Sequence, residues 1–93
     1  MFFVYAVKSL KVSRIYVGMT QDIEKRIAEH NSGKTKSTKG YLPWELFYYE
    51  IIDSRQNARN REKKLKQGSG KEYLKNILSR NTYAQKKEIK DTF

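Results

Sequence analysis

A run of nine residues near the middle of the chain constrains the fold more than any other segment. It reads WELFYYEII, from Trp44 to Ile52. Both of its alternating sets of side chains are largely apolar, which is typical of a strand with both faces covered. One set is Trp44, Leu46, Tyr48 and Ile52; the other is Phe47, Tyr49 and Ile51. Because 93 residues form one domain at most, the run predicts a single sheet with helices on both sides.

Two shorter apolar runs at the start of the chain predict the other strands. They are Phe2 to Lys8 (FFVYAVK) and Arg14 to Gly18 (RIYVG), separated by a polar turn. The pair is most simply an antiparallel hairpin. If the connection has an even number of residues, for example a two-residue turn at Leu10 and Lys11, Tyr5 and Tyr16 lie directly opposite each other and share a face of the sheet.

Helices are predicted at about Gln21 to Asn31, at about Arg55 to Gln67, and from Ser69 onward. In the first, Ile23 and Ile27 define an inward face with His30 at its centre and Arg26 at its edge.

The inward stripe of the second predicted helix contains a carboxylate, Glu62, between the apolar residues Ala58 and Leu65. Thr20 is the expected N-cap of the first helix, and the run SGKE from Ser69 predicts a capping box for the third.

Together these segments predict an α+β fold, a three-stranded antiparallel sheet flanked by helices in the order ββαβαα. The expected domain is residues 1–79, and residues 80–93 are expected to form a helical or disordered tail. The absence of cysteine excludes disulfides and thiolate metal sites. The apolar run at the start is too short for a signal peptide or membrane span, so we expect a cytoplasmic protein with no membrane partner.

The charge balance indicates a polyanionic partner. Lys and Arg number 20 against 10 Asp and Glu, a formal charge of +10, which makes nucleic acid the first candidate. The polar segment from Gly33 to Gly40 predicts a solvated loop. The candidate backbone contacts are Lys8, Lys34, Lys36, Lys39 and Lys71.

Polar side chains on inward positions destabilise the folded state unless they bond to one another, to water or to a ligand. The set is Tyr5, Tyr16, Arg26, His30 and Glu62. These residue types suit phosphodiester chemistry: Arg binds phosphate, a carboxylate holds a divalent cation, and a phenol or imidazole passes a proton. Each also has a structural explanation, such as an ordinary strand aromatic, a core histidine or a Glu62–Arg26 ion pair, and spacing alone does not decide.

The ordered motifs resemble the GIY-YIG nuclease superfamily, as a small stand-alone member, over about Phe2 to Leu78. The second signature matches Tyr16-Val17-Gly18, and the first matches Phe3-Val4-Tyr5 without its Gly-Ile. The runs QDIEKRIAEHNSGK and ARNREKKLK are similar to the family's first helix and to its glutamate-bearing helix. The motif glycine, Gly18, is expected where the backbone passes close to another group.

This resemblance implies an endonuclease that uses one Mg²⁺ or Mn²⁺ ion. By position, Tyr5 and Tyr16 would orient or deprotonate the attacking water. Arg26 would stabilise charge on the phosphate, and His30 would carry a proton or contact phosphate. Glu62 would bind the metal.

The resemblance also implies a nucleic-acid substrate, DNA first and RNA second, with no small-molecule cofactor. Since no second domain is predicted, we expect cleavage that is structure-selective or non-specific, by a monomer or weak dimer, with a role in DNA repair or recombination implied by the family.

Two other functions stay open: a non-catalytic nucleic-acid-binding module, which the altered first signature favours, and a basic protein of a ribonucleoprotein particle. Glu62 favours the nuclease, because a carboxylate in a phosphate-binding cleft repels the ligand unless a cation lies between them.

Overall fold

The computed structural model describes the backbone of residues 1–92 and the side chains of residues 1–80. The elements are β1 (Phe2–Ser9), β2 (Ile15–Thr20), α1 (Ile23–Asn31), a short 3₁₀ helix (Lys39–Tyr41), β3 (Trp44–Ile52), α2 (Arg55–Lys66) and α3 (Gly68–Thr92). The three strands form one antiparallel sheet in the order β2-β1-β3, which confirms the predicted α+β fold.

The sheet is the middle of three layers, as the apolar strands predict. On one face of β1, Val4 and Ala6 pack in a core with residues of α2 and α3. On the other face, Tyr5 and Val7 pack in a core with Trp44 and with residues of α1. These four β1 side chains are fully buried, which is why an apolar run on both faces occupies the central strand.

The β1–β2 register places Tyr5 opposite Gly18 and Val7 opposite Tyr16. The two tyrosines therefore share a face, as predicted, but lie diagonally. The prediction of a directly opposed pair is wrong because Lys8 pairs with Ile15, which centres the connection between Lys11 and Val12 rather than between Leu10 and Lys11 and shifts the register by two residues.

A bulge in β3 changes its alternation. Ala6 pairs with Tyr48 but Val7 pairs with Leu46, so Phe47 is an extra residue. Beyond it, Tyr48 packs on the α2–α3 side while Leu46 packs on the α1 side. The predicted grouping of Leu46 with Tyr48 on one face is therefore wrong.

Two helix starts differ from the prediction. The α1 N-cap is Asp22 rather than Thr20, and its Oδ1 accepts from the Lys25 backbone N–H at 3.1 Å. The third helix begins at Gly68, so Ser69 lies within it and caps nothing. Gly70 permits this close junction, because a Cβ there would lie 2.2 Å from the Lys64 carbonyl oxygen of α2.

The predicted separate tail, residues 80–93, lies almost wholly outside the described side chains. Among the residues that the structure describes, no helix is both long and apolar enough to cross a membrane.

Candidate active site

Tyr5 lies across the edge strand at a point where only glycine fits. A Cβ built on Gly18 would lie 2.6 Å from the Tyr5 Oη and 2.8 Å from its Cζ. The expectation that the motif glycine marks a close approach is therefore confirmed, and the group that approaches is the Tyr5 phenol.

The Tyr5 hydroxyl begins a chain of hydrogen bonds, here called the buried chain, that runs through His30 to Thr38. Tyr5 Oη lies 2.8 Å from His30 Nε2, and His30 Nδ1 lies 2.9 Å from Thr38 Oγ1. All three residues are almost completely buried. The last turn of α1 supplies His30, as the helix pattern predicted.

Sequence reasoning missed Thr38. Its segment has no apolar residue before Gly40 and was predicted to be a solvated loop, yet Thr38 is 1% exposed. Its carbonyl oxygen accepts the indole N–H of Trp44 at 2.9 Å. The burial comes from this contact with β3, so the local sequence carries no signal for it.

Tyr16 occupies the more open side of the same cluster. It is half-buried, and its ring packs edge-on against His30, with ring centroids 4.9 Å apart. The two motif tyrosines therefore flank one imidazole, with Tyr5 enclosed and Tyr16 partly accessible.

Arg26 lies on α1 with its side chain 31% exposed, and its Nη1 is 3.2 Å from Oε1 of Glu29. Its charge also acts on the Tyr5 phenol, which places the two side chains near each other. The predicted alternative of a Glu62–Arg26 ion pair is wrong, because Glu62 pairs on its own helix.

The electrostatics show that these groups face one another. Burial raises the pKa of Tyr5 to about 12; Arg26 opposes the rise, and the charges of Tyr16 and Glu62 add to it. Burial, followed by the charge of Arg26, lowers the pKa of His30 below its usual value. His30 is therefore neutral near pH 7, and Glu62 lies near enough to Tyr5 to affect its ionisation.

Glu62 projects from α2, and its side chain is only 13% exposed. Its carboxylate oxygens lie 3.8 Å from Arg59 Nε and 3.2 Å from Lys66 Nζ. Both partners are more exposed than the carboxylate, so an incoming cation can replace them at small cost.

A metal ion would find one protein ligand at this place. Among the described residues, no three His, Asp or Glu side chains form a group that could hold an ion. Mg²⁺ usually keeps several waters and binds one or two carboxylates together with substrate phosphates. Glu62 fits that pattern, with phosphate oxygens of a substrate completing the coordination.

A basic groove, an open cavity of about 1240 Å³, begins at Tyr16 and runs between the β1–β2 loop and α3. No Asp or Glu appears in its described lining. Its cations are Lys8, Arg14, Lys66, Lys71 and Lys75. Of the predicted contacts, Lys8 and Lys71 line this groove, whereas Lys34, Lys36 and Lys39 are exposed outside it.

Comparison with known proteins assigns the chain to a protein family. The model of the GIY-YIG catalytic domain matches residues 1–77. The chain is 41% identical over 76 residues to UPF0213 protein SSP2268 of Staphylococcus saprophyticus, covering 81% of this chain and 92% of that protein. It is 42% identical over 79 residues to UPF0213 protein SH2523 of Staphylococcus haemolyticus, covering 84% and 95%.

A solved structure agrees with the fold. The solution NMR structure of UPF0213 protein BH0048 from Bacillus halodurans is 31% identical, with a TM-score of 0.50 over 83% of this chain and 85% of that one. The chain therefore belongs to the GIY-YIG family. The family domain implies nuclease-type activity and hence interaction with nucleic acid.

Proposed function

We propose that this protein is an endonuclease that hydrolyses phosphodiester bonds in DNA with one Mg²⁺ or Mn²⁺ ion. The observation that supports the proposal is that Tyr16, Arg26 and Glu62 all act on the Tyr5 phenol, while Tyr16 also lines a groove of cations. A structural cluster would pair these charges internally, but Arg26 and Glu62 pair instead with partly exposed neighbours on their own helices.

The roles follow from accessibility. Tyr16, which is partly exposed, orients the attacking water through its hydroxyl, while the enclosed Tyr5 supports the cluster from behind. Arg26 binds the scissile phosphate through its planar guanidinium. Glu62 would hold the ion, which when bound supplies Lewis-acid stabilisation of phosphate charge.

His30 is neutral and enclosed, so its part is to hold Tyr5 and pack against Tyr16 rather than to touch phosphate. In this proposal His30 positions the two tyrosines and does not itself contact phosphate.

The basic groove supplies the path for the nucleic-acid backbone. Its lysines and Arg14 contact phosphates irrespective of sequence, which suits structure-selective or non-specific cleavage. Lys34, Lys36 and Lys39 contact flanking phosphates from their exposed loop. A cytoplasmic role in DNA repair or recombination is consistent with this activity.

A cleavage panel tests the proposal. Labelled duplex, flap, branched and single-stranded DNA, together with RNA, are incubated with Mg²⁺, Mn²⁺ or chelator. We expect metal-dependent products that disappear in Glu62→Gln and persist in Glu72→Gln, an exposed carboxylate on α3 outside the site.

Binding without products under all of these conditions would contradict the nuclease and favour a non-catalytic binding module. That alternative is supported by the altered first signature and the charge of +10. It predicts an affinity that falls steeply with salt, by about 0.9 in log K per log salt for each duplex phosphate neutralised.

A further inference from the structure

The buried chain has a direction, because neutral His30 has one N–H donor and one bare nitrogen. Its two partners are hydroxyls, and each can donate or accept. Either Tyr5 donates to Nε2 and Nδ1–H donates to Thr38, or both bonds run the other way. The two directions correspond to the two tautomers of the imidazole.

The inward direction gives every hydrogen an acceptor. Tyr5 O–H then points to His30 Nε2, His30 Nδ1–H points to Thr38 Oγ1, and Thr38 O–H points to the Thr35 carbonyl at 3.4 Å. In the reverse direction the Tyr5 hydrogen would have no acceptor among the described residues, since His30 Nε2 is the one hydrogen-bond partner of the Tyr5 oxygen there and the nearby Arg26 carries only donors. Because Tyr5 is fully buried, bulk water cannot accept that hydrogen either.

We propose that Thr38 is a positioning residue that accepts the Nδ1 hydrogen of His30 and so keeps Nε2 bare for the hydroxyl of Tyr5. The oxygen lone pairs of Tyr5 then remain available to the guanidinium of Arg26, which lies near that phenol and would be oriented by it. This inference deepens the proposed function and rests on it, since Arg26 is there the group that binds the scissile phosphate.

The tautomer can be measured directly, because the chain has one histidine. In ¹⁵N-labelled protein near pH 7, we expect the imidazole hydrogen on Nδ1 and a bare Nε2. In Thr38→Val, Nδ1–H would face a methyl group and lose its acceptor, so the two tautomers should become closer in energy and the share with the hydrogen on Nε2 should rise. Thr38→Ser should restore the wild-type tautomer, and Thr35→Val, which keeps the acceptor carbonyl in the same loop, should leave it unchanged.

A wild-type spectrum with the hydrogen on Nε2 would overturn the inference without any variant, even if Thr38→Val fails to fold. An unchanged tautomer in folded Thr38→Val would also overturn it.

Cleavage rates test the consequence for Arg26. We expect kcat of Thr38→Val to fall by up to about 100-fold, the scale of a small misplacement in an active site, with KM less affected. Thr38→Ser should recover most of the loss. A tautomer change with undiminished kcat would overturn the positioning role. Absence of cleavage by the wild-type protein would contradict the proposed function. The NMR result would still decide the direction of the hydrogen bonds in the buried chain.

Discussion

Two clusters combine tyrosine, arginine and glutamate, and they differ in how their charges are paired. The anchor cluster lies on the α2–α3 side and consists of Tyr48, Glu50, Arg61 and Tyr73. There Arg61 Nε lies 3.0 and 2.8 Å from the two Glu50 oxygens, and Tyr48 donates to the same carboxylate. Every charge is therefore matched by a fixed partner.

The site cluster, consisting of Tyr5, Tyr16, Arg26, His30 and Glu62, pairs its charges loosely. Arg26 meets Glu29 through one nitrogen, and Glu62 meets a lysine and an arginine that are about half exposed. Fixed bidentate pairs stabilise a fold, whereas exposed single contacts can yield to a ligand. Composition alone does not separate a site from a structural network; the replaceability of the partners does.

The largest expected difference between the two clusters is the effect of replacing their glutamates on cleavage and on stability. Glu62→Gln should lower kcat/KM by roughly 1000-fold, the scale of losing several kcal/mol of charge stabilisation, with stability changed by less than about 1 kcal/mol. Glu50→Gln should cost about 1–3 kcal/mol of unfolding free energy, since it leaves Arg61 without its counter-charge, and should keep kcat in the folded fraction. Cleavage assays and urea unfolding of both variants measure this. Equal effects on activity would show that the comparison is mistaken.

The next largest difference is expected between Tyr16 of the site cluster and Tyr48 of the anchor cluster. Tyr16→Phe should lower kcat by about 100-fold, the scale of losing a group that positions the attacking water, with little change in stability. Tyr48→Phe should leave kcat unchanged and cost about 1 kcal/mol, because Glu50 loses a hydrogen-bond donor. Unimpaired cleavage by Tyr16→Phe would shift the water-facing role to another group.

Gly18→Ala tests the contact between the edge strand and Tyr5. The added methyl would lie 2.6 Å from Tyr5 Oη, so the phenol must move, at an expected cost of about 1–3 kcal/mol and with reduced activity. Gly40→Ala is the matched control, because its Cβ would meet nothing within 4 Å. Thermal unfolding compares the two, and similar melting temperatures would argue against the close approach.

The sequence predicted the parts of the site that lie on regular elements. The inward positions of His30 and Glu62 follow from helical periodicity around neighbouring apolar residues, and the bounds of β3 follow from its apolar run. Thr38 could not be predicted, since it is buried by a segment distant in the fold rather than by its polar neighbours. The bulge at Phe47 likewise depends on strand pairing, which alternation does not reveal.

The smallest expected effect concerns pH. Because the pKa of His30 is lowered in the folded state, the unfolded chain binds a proton more readily, and stability falls as pH drops below about 6.5. One proton limits the slope to about 1.4 kcal/mol per pH unit. Urea unfolding between pH 7.5 and 5.5 (a range chosen to lie above most carboxylate titration) measures it. In His30→Gln the slope should nearly vanish, since the chain has no other histidine.

A slope retained in His30→Gln would assign the acid sensitivity to carboxylates, such as Glu50 of the anchor cluster. Burial opposes the lowering of the Glu50 pKa, but the hydrogen bond from Arg61 lowers that pKa below its usual value. The same titration thus asks which of the two clusters limits stability in mild acid.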